Sequence, residues 1–576
     1  MKWRSLSILC CLAISALFSG CSGGDRTNTT PVSVTVGSAQ TARKALSRSA
    51  LLSKATPTVA SITFTITGPG MDTIVRVVPI TPPQTITEVF SVPSGLSRNF
   101  KVEAKDGSDV VLYSGSMLAN LNGMPLNLTL PLQAMIFNQL IHTPFDDEAT
   151  SIARAQDGNG NIVIAGFTYG DMGGMNADPT HATPDVFVTK LTPTGGAVWA
   201  RQFGSNGYDI CYSAATDSAG NIYIAGSTAG NPDTASQGGS DKAGVVDAFV
   251  TKLSPAGLVL WTRLTGTAGY YTWGNAVAVD DVGSVYLSGS TEGCLVSIQT
   301  GTAFANQDPD NAPNRQDNTY DVFMVKYDTD GLPQWNSQFG TPFNDTGESI
   351  AFSSAASGPP AVFVVGSTGG DLGATNSNPG VDDLYVAKFD TTGVPLWTKQ
   401  LGSNDLDDAW GIAIDQTTGD IYVTGDTYGD LDGNANMDTT GMPGTTADIF
   451  LVKYDINGGH DVLNGQWTRQ LGTTSNESAN GITFDNNGAG VVITGHTSGD
   501  LDGLGNAGLN DMAMARYSTS GALLDKQQLG TKADDFGASV VTDQNGTITV
   551  LGNTFGGFTS SATEDIFLQR YGYSLP

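Results

Sequence analysis

From residue 135 onward, apolar and polar positions alternate in short runs separated by Gly, Asp and Asn. Period-two alternation predicts strands, and clustered turn formers predict tight connections between them. One unit holds four such runs: Gly411–Ile414, Ile421–Gly425, Asp448–Tyr454 and Trp467–Leu471. The pattern recurs. A Gly-x-Thr triplet closes the second run at Gly166, Gly226, Gly289, Gly366, Gly425, Gly495 and Gly552, at intervals of 57 to 77 residues. An acidic residue opens the third run and a base follows five positions later, from Asp185 and Lys190 to Asp565 and Arg570. A tryptophan starts the fourth run in five units: Trp199, Trp261, Trp335, Trp397 and Trp467. Seven four-strand units without a helical period predict an all-β fold, a seven-bladed β-propeller over residues 135–576. The last unit stops at Tyr571–Pro576 without a fourth run, while Ile136–Leu140 (IFNQL) matches Trp467–Leu471 (WTRQL). The early strand is therefore expected to complete the last blade and leave no open edge.

Residues 58–133 also alternate, at Ile62–Thr67, Phe100–Ala104 and Leu126–Leu130, between turns such as Gly68-Pro69-Gly70. They predict a small β-sandwich of immunoglobulin-like or transthyretin-like type, serving as a spacer. Residues 21–57 are rich in Ser, Thr and Ala and read as a flexible tether, with a short basic helix near Ala42–Lys54. The apolar run Leu6–Phe18 follows Lys2 and Arg4 and has the length of a signal-peptide core, too short to span a membrane.

Phe18-Ser19-Gly20-Cys21 resembles the bacterial lipobox, with Phe18 where that motif usually has Leu. The resemblance implies a lipoprotein signal peptide over residues 1–20, lipidation of Cys21 and a membrane partner reached through acyl chains. Ser22 after the cysteine implies sorting to the outer membrane, with the protein possessing a cell-envelope or surface location. Composition agrees with export and turns. The chain has 72 Gly in 576 residues and 14% charged residues. Its net charge of −29 disfavours nucleic acid and favours cationic or basic partners.

The segments D-x-A…G-N-x-Y-x-x-G-x-T and D-x-F-x-x-K-x-x-x-x-G-x-x-x-W, seen in Gly220–Trp261, resemble the bacterial SBBP family of propeller repeats. The sixth unit departs most: Asp511-Met512-Ala513-Met514 lacks the aromatic, and Asp525 stands at the Trp position. The resemblance implies an exported surface protein and supplies no catalytic residues.

Three sets of side chains are candidates for chemistry. Asp147, Asp209, Asp345, Asp407, Glu477 and Asp535 precede the innermost strands, with Thr272 nearby in the third unit. They either ring the channel mouth, where like charges would draw a cation, or cap turns. Asp430, Asp432 and Asn434, and likewise Asp500 and Asp502, place hard oxygens at alternating loop positions, as calcium requires. Solvated turns are the alternative, since the full EF-hand pattern is missing. Cys211 and Cys294 remain after export; they form either a disulfide on one rim of the ring or two free thiols. No His pair has metal-ligand spacing, and no nucleophile elbow or phosphate loop is present. The reading is a lipid-anchored binding or scaffold module for an extracellular protein or polysaccharide. The alternatives are an extracellular carbohydrate-active enzyme using paired carboxylates and a structural envelope or matrix component.

Overall fold

The computed structural model describes residues 29–36, 61–79, 86–105, 111–130, 133–193, 195–230, 245–301, 319–354, 358–374, 376, 378–434, 436, 446–460, 465–485, 490–503, 505–543, 546–555 and 564–571. Residues 1–20 and Cys21 lie outside that set. The described chain is all-β, with one 3-10 turn at Leu431–Gly433. Among the described residues no helix is long and apolar enough to cross a membrane.

Each repeat unit folds as one antiparallel up-and-down sheet. In the first unit the order is Asp147–Arg154, Ile162–Thr168, Asp185–Leu191, Ala197–Phe203. The innermost strand of each sheet packs against that of the next, and Asp535–Thr542 of the last packs against Asp147–Arg154 of the first. The arrangement is a β-propeller. Its core lies between sheets, not within one. Val186, Val188 and Cys211 share a cluster with Ile224 and Phe249 across units one and two. Ile164 and Phe187 of unit one share another with Leu551, Ile566 and Leu568 of unit seven. Second and third strands, buried on both faces, accordingly read as near-continuous apolar runs such as Ile222–Thr228 and Asp247–Leu253.

Unit seven takes its outer strand from Gln133–Ile141, with Ile566 opposite Ile141, Phe567 opposite Leu140 and Leu568 opposite Gln139. That strand also pairs with Val111–Leu121 through Tyr113–Ala134 and Ser114–Gln133. A single eight-stranded sheet thus runs from Ile74–Pro79 in the N-terminal region to Asp535–Thr542. The N-terminal region has a second sheet, Ile86–Pro93, Thr29–Val36, Leu126–Leu130, and one core around Val32, Phe64, Phe90 and Phe100.

Part of the expected tether is corrected. Thr29–Val36 is a strand, antiparallel to Ile86–Pro93 and parallel to Leu126–Leu130. Its TTPVSVTV alternation buries Val32 and Val34 on the core face, and this gives the segment a reason to leave the solvent.

Two devices join neighbouring units. At the outer rim, the Trp indole N–H donates to the 3–4 turn of the next unit: Trp199 to Pro255 O (3.1 Å), Trp261 to Thr329 O (3.2 Å), Trp335 to Thr391 O (3.1 Å) and Trp467 to Thr519 O (3.2 Å). Each ring lies on a turn glycine, such as Gly257 (φ 77°), where a Cβ would strike the indole. At the same end the repeated bases donate to that turn of the next unit, as in Lys252 Nζ to Thr329 O (2.8 Å) and Lys388 Nζ to Ile456 O (2.8 Å). Some also pair with a 1–2 turn carboxylate of their own unit, as in Lys190–Asp157 (2.7 Å) and Lys453–Asp420 (2.9 Å).

Candidate ligand-binding channel

Every innermost strand carries a bulge opposite the glycine of its Gly-x-Thr triplet. In unit one, Gly166 pairs with Ala149 and Ala165 with Ser151, leaving Thr150 unpaired. The same shift leaves out Tyr212, Trp410, Asn480 and Ala538 in units two, five, six and seven. Asn275 lies in the corresponding shift of unit three. In unit four Glu348 lies between the Asp345–Thr368 bridge and the Ser349–Val365 pair. Glycine is required opposite because the bulged strand closes in: a Cβ on Gly166, Gly226, Gly289, Gly366, Gly425, Gly495 or Gly552 would fall on the carbonyl oxygen of the residue two before the bulge.

The bulges face one cavity of about 850 Å³ at the centre of the ring. Thr150, Tyr212, Asn275, Glu348, Trp410, Asn480 and Ala538 all line it, joined by Glu148, Trp273, Thr346 and Phe536 from two residues earlier on four of the strands. Tyr320, Phe555 and Glu564 contribute from the ends of the long 2–3 connections. Unlike side chains therefore converge where the rest of the unit repeats.

In several units the innermost strands are held from behind by the middle position of a Gly-x-Thr, and channel residues also bond one another. Asn553 accepts from Ala149 N (2.9 Å) and donates to Ala149 O (3.2 Å). Asp426 accepts from the Trp410 indole (2.5 Å) and the Ser478 hydroxyl (2.8 Å). Asn275 donates to Glu348 Oε2 (3.2 Å). Burial pushes Glu348 up to about 7, with Asp408 adding to the shift. Burial, with Glu148, Asp146 and Asp147 nearby, pushes Glu564 up to about 8. Glu148 is raised by burial as well. The described lining contains no Lys, Arg or His.

Of the two alternatives for the repeated carboxylates, capping is what the structure shows, and none of the six lines the channel cavity. Asp147, Asp209, Asp345, Asp407 and Glu477 are fully buried, and Asp535 is 1% exposed. Five of them start an innermost strand, and Asp345 forms a bridge with Thr368 just before its own. Asp209 accepts from Ser205 N (2.5 Å) and Thr228 Oγ1 (2.5 Å), and Asp407 from Ser403 N (2.5 Å) and Thr427 Oγ1. Glu477 does the same with Thr473 N (2.6 Å) and Thr497 Oγ1 (2.6 Å). In unit three Thr272 and Thr291 share a hydrogen bond of 3.0 Å. These groups fasten the inter-unit connection to the end of the second strand. In units one, three, four and seven the strand's alternation puts the next residue, not the capping residue, on the channel.

The acidic loops use their oxygens locally. Asp430 Oδ1 accepts from Asn436 N (2.8 Å) and Asp500 Oδ1 from Gly505 N (2.8 Å). Asp432 Oδ2 meets His460 Nε2 (3.0 Å) and Thr468 Oγ1 (2.9 Å), Asn434 Nδ2 donates to Leu431 O (3.2 Å), and Asp502 Oδ2 accepts from Gln528 N (3.3 Å). Among the described residues no three His, Cys, Asp or Glu side chains converge as a metal-ligand set. Cys211 and Cys294 are both free, the second of the two alternatives left open by the sequence. Cys211 points into the core between units one and two, and burial pushes its thiol up to about 12, whereas Cys294 sits on a connection of unit three.

The β-propeller repeat family SBBP matches residues 198–232, 260–293 and 396–432. The chain thus carries SBBP repeats. It is 29% identical over 329 residues to the regulatory protein FlaEY of Caulobacter vibrioides, covering 54% of this chain and 32% of that protein. It is 22% identical over 437 residues to the uncharacterized WD repeat-containing protein L264 of Acanthamoeba polyphaga mimivirus, covering 59% and 30%. The chain spans about a third of the length of these curated relatives. Among solved structures it is similar to Sqt1 from Chaetomium thermophilum, at 10% identity, a TM-score of 0.37, and coverage of 75% of this chain and 97% of that one.

Proposed function

We propose that this β-propeller repeat protein is a lipid-anchored envelope protein of the outer membrane whose seven-bladed ring binds an extracellular ligand in its central channel, with the N-terminal β-sandwich as a spacer. The observation that supports binding is the set of bulges: an otherwise constant unit presents Thr, Tyr, Asn, Glu, Trp, Asn and Ala to one cavity. Variation concentrated on a rigid frame is how recognition surfaces are built. The lipobox-like Cys21 supports the anchor. A ligand panel of oligosaccharides, peptides and small amines, read by thermal shift, tests the channel. A ligand selective for the folded state raises the melting temperature, and Tyr212→Ala or Trp410→Ala should abolish that rise while Leu396→Ala, on the outer rim, should not. An equal ligand response in all three variants would remove the channel from the reading. Loss of labelled-palmitate incorporation in Cys21→Ser tests the anchor.

A second reading, glycan hydrolysis, is favoured by Glu348, raised to about 7 beside Asp408, as a general acid would be. Turnover of any panel oligosaccharide that is lost in Glu348→Gln would select it.

A further inference from the structure

The channel combines two kinds of group that attract the same ligand. Aromatic faces attract cations through their quadrupole, and carboxylates attract them directly. Trp410 remains 39% exposed although it sits on an innermost strand. The chain already satisfies its own cations in this way at the outer rim. Lys326 Nζ lies 4.8 Å from the centre of the Tyr286 ring and 3.7 Å from Asp280. Lys453 Nζ lies 5.6 Å from the Tyr422 ring and 2.9 Å from Asp420. In the channel the rings and carboxylates are present, but the described lining supplies no side-chain cation.

We infer that the channel cavity is a site for an organic cation, an ammonium or guanidinium group, held by the Trp273 and Trp410 faces and by Glu348. The inference rests on the binding reading above and names its ligand class. The volume of about 850 Å³ suits a group carried on a larger ligand and far exceeds one metal ion. The groups facing the acids are themselves acidic or neutral. Glu348 is faced by Asp408 of unit five, the phenols of Tyr212 and Tyr385, and the Asn275 amide. Glu564 is faced by Glu148, Asp146 and Asp147. With no counter-charge among these groups, Glu348 and Glu564 hold protons near neutral pH. An entering cation favours their ionised forms, so binding expels protons into solution. A neutral sugar can stack on the same rings without expelling them.

The test is titration calorimetry of the full chain with three probes: spermidine, a short Lys- and Arg-containing peptide, and a neutral oligosaccharide. Each is run near pH 7 in two buffers of different ionisation enthalpy. Binding of spermidine or the peptide with buffer-dependent heat supports the inference, and the better of the two identifies a free amine or a protein side chain as the source. Glu348→Gln, which keeps the side-chain size, should weaken that binding by about tenfold and reduce proton release, as expected for one desolvated charge pair. Its melting temperature serves as the folding control. Unchanged affinity in Glu348→Gln, or cation binding without proton release, overturns the inference. Binding of the oligosaccharide alone overturns it while leaving the channel a binding site. Failure of all three probes removes both.

Discussion

A residue next to a strand end can serve the fold or the ligand, and here its place along the strand decides which. Asp407 is fully buried and caps the connection, whereas the bulged Trp410, three positions on, lines the channel. The repeated acids were conspicuous in the sequence because the fold needs them in nearly every unit. The channel residues were inconspicuous because they differ from unit to unit, and the bulge breaks the simple alternation that would have assigned Asn480 or Ala538 to a face. The legible signal was the glycine, whose recurrence marks the bulge opposite. Gly425 is a clear case, since a Cβ there falls on Asp408 O, a backbone atom that cannot swing aside. Gly425→Ala should therefore destabilise the protein by about 2–3 kcal/mol, in the upper range for an overpacked site, as read by urea denaturation. A change below about 0.5 kcal/mol, the range of an inconsequential surface substitution, would show that the bulge is not fixed.

At the scale of elements, the strands of units one to seven and the pairing of Gln133–Ile141 with Asp565–Tyr571 follow the apolar alternation. The strand Thr29–Val36 was hidden because a Ser- and Thr-rich stretch masked its three alternating valines. The odd sixth unit also has a physical cause. Its Asp525 pairs with Arg516 at the position where Trp467 pairs with Lys453. A Trp there would normally cover the 3–4 turn of the following unit. Unit seven has no such turn, because its outer strand comes from Gln133–Ile141. The latch is absent where its receiver is absent. Where the receiver exists, Trp335→Phe keeps most of the ring packing and loses the bond to Thr391 O, so it should cost about 1 kcal/mol, checked by chemical denaturation. Deleting residues 135–142 strips the outer strand from unit seven and exposes its edge. Aggregation is expected, read by light scattering, and a monomeric deletion with a single cooperative transition would count against closure by this strand.

For the whole molecule, burial of acids sets the response to pH. Asp209 and Asp345 are raised to about 6 and Asp407 to about 7, in each case mainly by burial, and Asp147, Glu477 and Asp535 shift the same way. For these acids the folded value lies above the ordinary one, so between about 4 and 7 the folded state holds more protons than the unfolded state. Their contribution is greatest on the acid side and is lost as pH rises through the folded values. Neutralising part of the −29 net charge acts in the same direction. Asp157 and Asp390 are lowered by their hydrogen bonds despite burial, and their contribution is lost only on further acidification. The melting temperature should rise from about pH 8 to about pH 5 and fall again well below about pH 4, as followed by scanning calorimetry. A steady rise from pH 5 to pH 8 would contradict this assignment.

The shared outer strand also orders events in time. Ala149 and its partner Asn553 are 404 residues apart, and the strand that seals unit seven emerges from the ribosome before any of the units. During synthesis that strand has no sheet to join at its unit-seven edge, and the first unit has no neighbour on one side. Both wait for the last strand. Local sheets can form early, but the final seam carries the largest loop-closure cost and comes last. Any interruption of synthesis leaves two apolar surfaces uncovered at opposite ends of the nascent chain, so such a product is a substrate for chaperones and proteases and not a smaller working version of the protein.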